Sequence, residues 1–454
     1  TSRPTCTRPS SHSSIAALPA RIELFPETLA DFAVPEAFGE ESAGAGRVHV
    51  EYPADGQTTL RVAPGRWTLR VSRGPEYERF EPPTLDLAIG SARRIDATLE
   101  RVVDTTGVIC ADYHIHSHRS VDSADDGALK VRGLVANGLE IPIRSEHEWV
   151  EDYQPLIESL GLSAFARGFA GLELTTFSYG HFGVFPLVPD RERPSGGAVL
   201  WYDRLAPDVF DEVRARPEAP ALIINHPRAG GLRQGYFTET GFDPVTSTVT
   251  HPENWDEDFD VVEVWNDGDF ERFRDSTVQD WLSLLSSGRR VFAVGSSDSH
   301  RIHTVPVGYP RTCLRLGTDD PRAVTGAMLR DATRAGRSYV SGGIYLDVTG
   351  PGGARPGDEA SGAGDRASFE VVVQAPSWVE VNRLEVIVDG VTTETIPIGP
   401  GDADPTNPVE RARMTIEANV LASGSYVIFH AAGDAAFDLG KRPFAVTNPI
   451  FLRR

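Results

Sequence analysis

The 454-residue chain has little of what marks several common kinds of protein. Its three cysteines, Cys6, Cys110 and Cys313, form an odd, sparse set that excludes a disulfide framework. Cys110 lies in the apolar run from Gly107 to Ala111 and reads as a buried structural thiol, and Cys313 reads the same way. No run of ~18 apolar residues occurs, so no membrane-spanning helix is expected. Positive charge is scarce: 44 Lys plus Arg against 65 Asp plus Glu give a net charge of -21, which excludes a nucleic-acid backbone as the main partner. A small-molecule substrate fits better. Lysine is almost absent, and this bias toward arginine carries no mechanism.

What is there is a chain with an ordinary globular composition, 40% hydrophobic and 24% charged, long enough for about three domains at ~100–200 residues each. Residues 1–20 are rich in turn formers and read as disordered. The start at Thr1, without Met and rich in Ser, Thr, Pro and Arg, looks like the end left after an export signal, or a trimmed terminus; the expected location is periplasmic or extracellular, the alternative cytoplasmic. Residues 21–106 carry short alternating runs, at 47–52, 58–62, 66–71 and 94–100, broken by Pro and Gly, and read as a β-sandwich. From 107 to 341 the rhythm is strand, helix, strand. The spacing predicts helices around Val131–Val135, over 277–287 and from Asp320 to near Gly336, with strands at 139–143 and 291–294. Residues 342–454 alternate again and read as a second β-sandwich. The flanking sandwiches would shape a pocket, assist formation of a homodimer or attach the protein to the cell envelope.

The chemistry lies in the middle segment. Imidazoles and carboxylates recur at the ends of apolar runs: Asp112-Tyr-His114-Ile-His116, Glu146-His147, Glu173, His181, Asn225-His226 and Asp298-Ser-His300. Residues i and i+2 of a strand point to one face, so His114/His116 and Asp298/His300 can each present two ligands to one point. Neutral imidazoles with a few carboxylates suit zinc, with manganese or iron as alternatives. Ligands at the carboxyl ends of successive parallel strands would share the mouth of a barrel.

These residues, with Gly171-Leu-Glu-Leu-Thr-Thr176, Gly180-His-Phe-Gly-Val-Phe185, Val262-Glu-Val-Trp-Asn266 and Ser297-Asp-Ser-His-Arg301, resemble the PHP-type metal-dependent hydrolases, in particular the carbaryl-hydrolase (CehA/McbA) type. The resemblance implies an α/β fold with a distorted (β/α)7 barrel and two or three divalent ions. His114, His116, Glu173 and Asp298 would hold the first ion. Glu173 would bridge to a second, held by His181 and His226. His147 and His300 would hold a third, with Asp122 where the family often has a histidine. The family commonly reads Thr-Asp-His-Asn where this chain has Ser145-Glu-His-Glu148. The implied reaction is attack by a hydroxide bridging two ions on a carboxylic ester, carbamate or amide, with Asp298 orienting it. Glu146 would orient groups or transfer a proton. A phosphoesterase and an idle metal-binding or cell-surface interaction protein are the alternatives.

Asp112 is read as a partner for a ligating imidazole or as a plain strand-end carboxylate. His118 and His303 would contact substrate or shuttle protons, or be exposed loop histidines. Arg144, Arg228, Asn266 and Arg301 would steady an oxyanion or leaving group, or serve as ordinary polar partners. Trp149, Tyr153, Phe177, Tyr179 and Phe182 would line an apolar pocket, or pack in the core.

Overall fold

Alternating and continuous apolar runs dominate the chain. The computed structural model, which describes residues 17–28, 46–230, 234–361, 365–419 and 424–453, is accordingly a mixed α/β structure built mostly of strands with few helices. Most of the segment expected to be disordered, 1–16, lies outside the described residues.

The first four strands, β1 (Arg21–Pro26), β2 (His49–Glu51), β3 (Gly65–Ser72) and β4 (Leu85–Leu87), form one antiparallel sheet in the order β2-β1-β3-β4. Along β3, Trp67, Leu69 and Val71 are buried while Arg66 and Thr68 face water, the period of two that gives the sheet one apolar face. The expected sandwich is corrected to this single sheet. The runs at 58–62 and 94–100 form no strands, and beyond the sheet they add only the partly buried Leu60, Val62 and Leu99 to the core. That is too little apolar surface to hold a second layer.

Seven strands then lie side by side in chain order: β5 (Val108–Ile115), β6 (Ile141–Arg144), β7 (Phe169–Thr175), β8 (His181–Leu187), β9 (Ala221–Asn225), β10 (Val261–Asn266) and β11 (Phe292–Ser296). β5, β6 and β7 are parallel, as are β9, β10 and β11, whereas β8 is antiparallel to both neighbours. The connection from Thr176 to Gly180 is too short for a crossover, so β7 and β8 make a hairpin and the strand–helix alternation fails there. Elsewhere α1 (Gly127–Ala136), α2 (Gln154–Ser159), α3 (Ala206–Arg214), α4 (Tyr236–Glu239), α5 (Phe270–Phe273) and α6 (Thr277–Ser286) bridge the strands. α6 buries Val278, Trp281, Leu282 and Leu285 as its spacing predicts. The sheet curls into a half-barrel: past β11 the chain returns to β5, where Ser299 bridges Ile115 and its carbonyl accepts from the His116 amide at 3.1 Å.

Beyond β5 the same sheet runs on through β12 (Arg311–Arg315) and, after α7 (Gly326–Arg334), β13 (Ser338–Ser341). Asp320 caps a 3-10 turn, Pro321–Ala323, and Thr325 caps α7, which divides the helix expected from Asp320. The remaining strands are β14 (Tyr345–Thr349), β15 (Glu359–Ser361), β16 (Arg366–Gln374), β17 (Arg383–Val388), β18 (Val391–Pro397), β19 (Glu410–Asn419), β20 (Tyr426–Ala432), β21 (Phe444–Thr447) and β22 (Ile450–Arg453). β13 pairs with β21, so the boundary expected near 341 falls inside a continuous sheet. β14, β16 and β19 form a second layer, with Phe369 against Phe429 at 5.3 Å. No helix of the described residues is long and apolar enough to cross a membrane.

The expectation of free cysteines is also corrected. β5 and β12 place Cys110 directly opposite Cys313, and the two form a disulfide across 203 positions of sequence. Replacing both with Ala should destabilise the fold by ~2–5 kcal/mol, the range for losing a native cross-link, read as a lower urea midpoint. Thiol titration of the denatured, unreduced chain should find one thiol; three would contradict the pairing.

Candidate metal centre

The functional side chains converge because both strand directions deliver to one rim. His114 is the next-to-last residue of β5 and His116 follows the strand, His147 follows β6, His226 follows β9, and Asp298 and His300 follow β11. His181 instead opens the antiparallel β8, whose amino end lies at the same rim, opposite Thr175 and Asn225. Glu173, within β7, is the common centre. Its Oε1 lies 3.0 Å from His114 Nε2, 3.1 Å from His226 Nε2 and 3.4 Å from His181 Nδ1. Its Oε2 lies 2.8 Å from His147 Nδ1 and 3.5 Å from His116 Nε2. Gly183 leaves the room this needs: a Cβ there would stand 2.9 Å from the amide oxygen of Asn225, whose Nδ2 donates to Glu173 at 3.0 Å.

Among the described residues, three sets of ligand atoms lie close enough to share an ion: His114, His116 and Asp298; His114, Glu173 and His226; and His116, His147 and His300. Asp298 Oδ1 is 3.2 Å from His114 Nε2 and 3.3 Å from His116 Nε2. Asp122, exposed at the mouth, puts Oδ2 at 3.3 Å from His147 Nε2 and 3.1 Å from His300 Nε2. Two ligands at ~2.0–2.1 Å from one tetrahedral ion are ~3.3 Å apart, so these separations are compatible with ligands around shared cations. His114 and His116 each enter two sets, whereas His181 belongs to none and stands beside the second.

The hydrogen bonds select which nitrogen is left over. His116 Nδ1 faces Ser120 Oγ at 2.9 Å, His147 Nδ1 faces Thr175 Oγ1 at 2.7 Å, and His300 Nδ1 faces the Asp298 carbonyl at 2.9 Å. A proton on each Nδ1 leaves three Nε2 lone pairs pointing together. His114 Nδ1 contacts Glu263 Oε1 at 2.9 Å in the same manner. His114 Nε2, His116 Nε2, His300 Nε2, His226 Nδ1 and both ring nitrogens of His181 are buried without hydrogen-bond geometry to any protein group. Leaving such atoms unsatisfied costs ~1–3 kcal/mol each, so the arrangement fits a cation.

Against their burial, the carboxylates hold His114, His147 and His300 above the ordinary histidine range, so a cation there would displace protons. Burial opposes charge on Glu173, yet His114, His181 and His147 hold its carboxyl well below the ordinary range. Asp298 is likewise held low by His114 and His116 against its burial. Burial pushes His116 down to about 3, so it keeps its lone pair at neutral pH. Burial pushes the Glu148 carboxyl up to about 7 at the mouth beside His147, despite a bond from the Thr175 amide.

Several expected roles change. Asp112 touches no imidazole; it accepts from the amides of His114, Ser297 and Gly308, and burial pushes its carboxyl up to about 6. Glu263 takes the imidazole-orienting place, and also accepts from the His226 amide and from Asn266 Nδ2. The available signal was a lone carboxylate inside the apolar run Val261–Trp265. Glu146 is buried among the amides and hydroxyls of Ser117 and Ser120 and the Arg144 guanidinium, so it positions the loop under His116 and His147 and does not face the mouth. Arg228 makes a two-pronged pair with Asp280, at 2.6 and 2.8 Å, and donates to the Phe237 and Phe242 carbonyls. His118 is exposed, and His303 stacks on Tyr52 at 5.7 Å. Tyr153, Tyr179 and Phe182 are core residues, while Phe177 is exposed and packs edge-on to Trp201 at 5.2 Å.

Lys130 was not singled out by the sequence. It is fully buried on α1, pairs with Asp125 at 2.6 Å and donates to the Ser299 carbonyl at 3.0 Å, which fixes the residue between Asp298 and His300. His226 and Asp298 adopt positive φ, 27° and 49°, backbone strain that this packing sustains.

No protein-family model matches the chain, and no curated protein proves similar to it. Glu263→Gln should weaken divalent-ion binding by ~10–100-fold, measured by calorimetric titration of zinc into metal-stripped protein, because an amide cannot both receive the His114 N–H and satisfy two further donors. Unchanged affinity would remove Glu263 from the site.

Proposed function

We propose that the chain is a metal-dependent hydrolase of the PHP type, of the carbaryl-hydrolase kind, cleaving a carboxylic ester, carbamate or amide bond of a small molecule. The observation carrying this reading is the convergence of the orphaned His114 Nε2 and His116 Nε2 on Glu173 and Asp298 at ligand spacing. The seven sequential strands β5–β11 sharing one rim support the distorted (β/α)7 barrel of that family as the finer description. Zinc is the proposed ion, with manganese or iron as alternatives. His114, His116, Glu173, His226 and Asp298 would hold two ions, and His116, His147, His300 and Asp122 would hold a third.

Such ions, when bound, supply activated water near neutral pH and polarise the scissile oxygen. The protein's own groups do the rest. Glu173 and Asp298 concentrate negative charge where cations collect, and Asn266 Nδ2, 3.3 Å from Asp298 Oδ2, steadies that carboxylate. Ser120, Thr175, Glu263 and the Asp298 carbonyl keep His116, His147, His114 and His300 in the ligating tautomer. Phe177 and Trp201, packed edge-on, would give the mouth an apolar wall. Arg144 and Arg228 are engaged with Glu146, Glu151 and Asp280. That commitment favours a carboxyl centre over a phosphate, which draws on open guanidinium forks. The buried disulfide supports export to an oxidising compartment.

Metal-analysed protein should hydrolyse an aryl ester or a naphthyl carbamate in preference to a bis-aryl phosphate, and Asp298→Asn should lower that rate at least ~100-fold. Turnover of the phosphate alone would make the protein a phosphoesterase. No turnover of any of the three with a full metal complement would make it a metal-binding protein without this activity.

A further inference from the structure

A cavity of about 330 Å³ lies apart from the imidazole cluster, between β12 and β13 of the long sheet and β14 of the second layer. None of the cluster residues lines it. Its floor is apolar, made by Cys313 of the disulfide, Tyr339, Leu346 and Val348, all buried. Its rim carries three guanidiniums, Arg315, Arg337 and Arg355, in a chain whose net charge is -21.

The acidic groups nearby are already engaged. Arg315 Nη2 lies 2.9 Å from Asp347 Oδ1, and Arg355 Nη1 bonds to that same oxygen, so two cations share one acceptor. Asp358, the one carboxylate in the lining, accepts from the Arg355 backbone amide at 3.0 Å. Arg355 is aimed further by a 3.0 Å bond to the Val348 carbonyl. The Arg337 side chain has no ion-pair or hydrogen-bond partner among the described residues. An apolar floor that fits one or two rings, under a rim with more guanidinium than carboxylate, is the chemistry of a site for an amphipathic anion.

We propose that this cavity binds a small organic anion, an aromatic or branched apolar body carrying one carboxylate or sulfonate, with the body on the Cys313–Tyr339–Leu346–Val348 floor and the anion on Arg337 and Arg355. The site stands independently of the hydrolase reading, because it shares no residue with the metal centre.

The probe is anilinonaphthalene sulfonate, titrated by fluorescence into the full chain, with uncharged N-phenylnaphthylamine as its neutral counterpart. The expected result is one saturable site, weakened at least about tenfold by Arg337→Glu and held within about threefold by Arg337→Lys, while binding of the neutral dye is the same in all three proteins. Arg337 is exposed, so both variants are expected to fold. Sulfonate binding that ignores Arg337→Glu, a neutral dye that binds as tightly as the sulfonate, or no saturable binding at all would each overturn the proposal.

Discussion

A buried carboxylate with five imidazoles around it governs this structure. Glu173 is about 1% exposed, and a negative charge so placed is sustained only by positive charge brought equally close. Two strand directions, a hairpin and three loops meet at its oxygens. The positive-φ backbone at His226 and Asp298, of order 1 kcal/mol of strain each, is tolerated because both side chains are then aimed at the same small volume. Protons on the imidazoles or divalent cations can supply the missing charge. The ordered Nδ1 contacts, which leave nitrogen lone pairs facing inward, favour cations.

Support for the centre comes from behind it. Lys130 and Asp125 form a buried ion pair under the Asp298–His300 segment, and Glu146 gathers the serines that set His116 and His147. One of the chain's few lysines is therefore placed where an unpaired charge would be costly, and it is paired and hydrogen-bonded throughout. The disulfide between β5 and β12 braces the strand that carries His114 against the part of the sheet that continues into the C-terminal layers.

Local patterns told most where one residue's neighbours decide its fate. The i, i+2 spacing of His114 and His116, the helical face of α6 and the alternation of β3 are all readable because each depends on contacts within a few positions. Most of the ligand candidates come together because they end apolar runs that pair in order and share a rim, while Glu173 lies within its run and His181 opens one. What was not legible depends on distant pairing. Cys110 and Cys313 meet only because β12 returns antiparallel beside β5, and the reversal of β8 rests on one short loop. The roles of Glu263 and Lys130 follow from burial, which an isolated charged residue in a sequence does not declare. The second layer of the N-terminal segment was expected from alternation alone, but alternation gives a strand only where there is a surface to bury against.

The central claim is that the orphaned nitrogens around Glu173 are ligands. The most direct test is a crystal structure of protein purified without chelator and soaked with zinc, with anomalous difference maps recorded on both sides of the metal absorption edge. The account requires edge-dependent peaks ~2.0–2.2 Å from His114, His116, His226 and Asp298, with Glu173 touching two of them. Maps without edge-dependent density there, with the imidazoles hydrogen-bonded to water or to Glu173 alone, would contradict it.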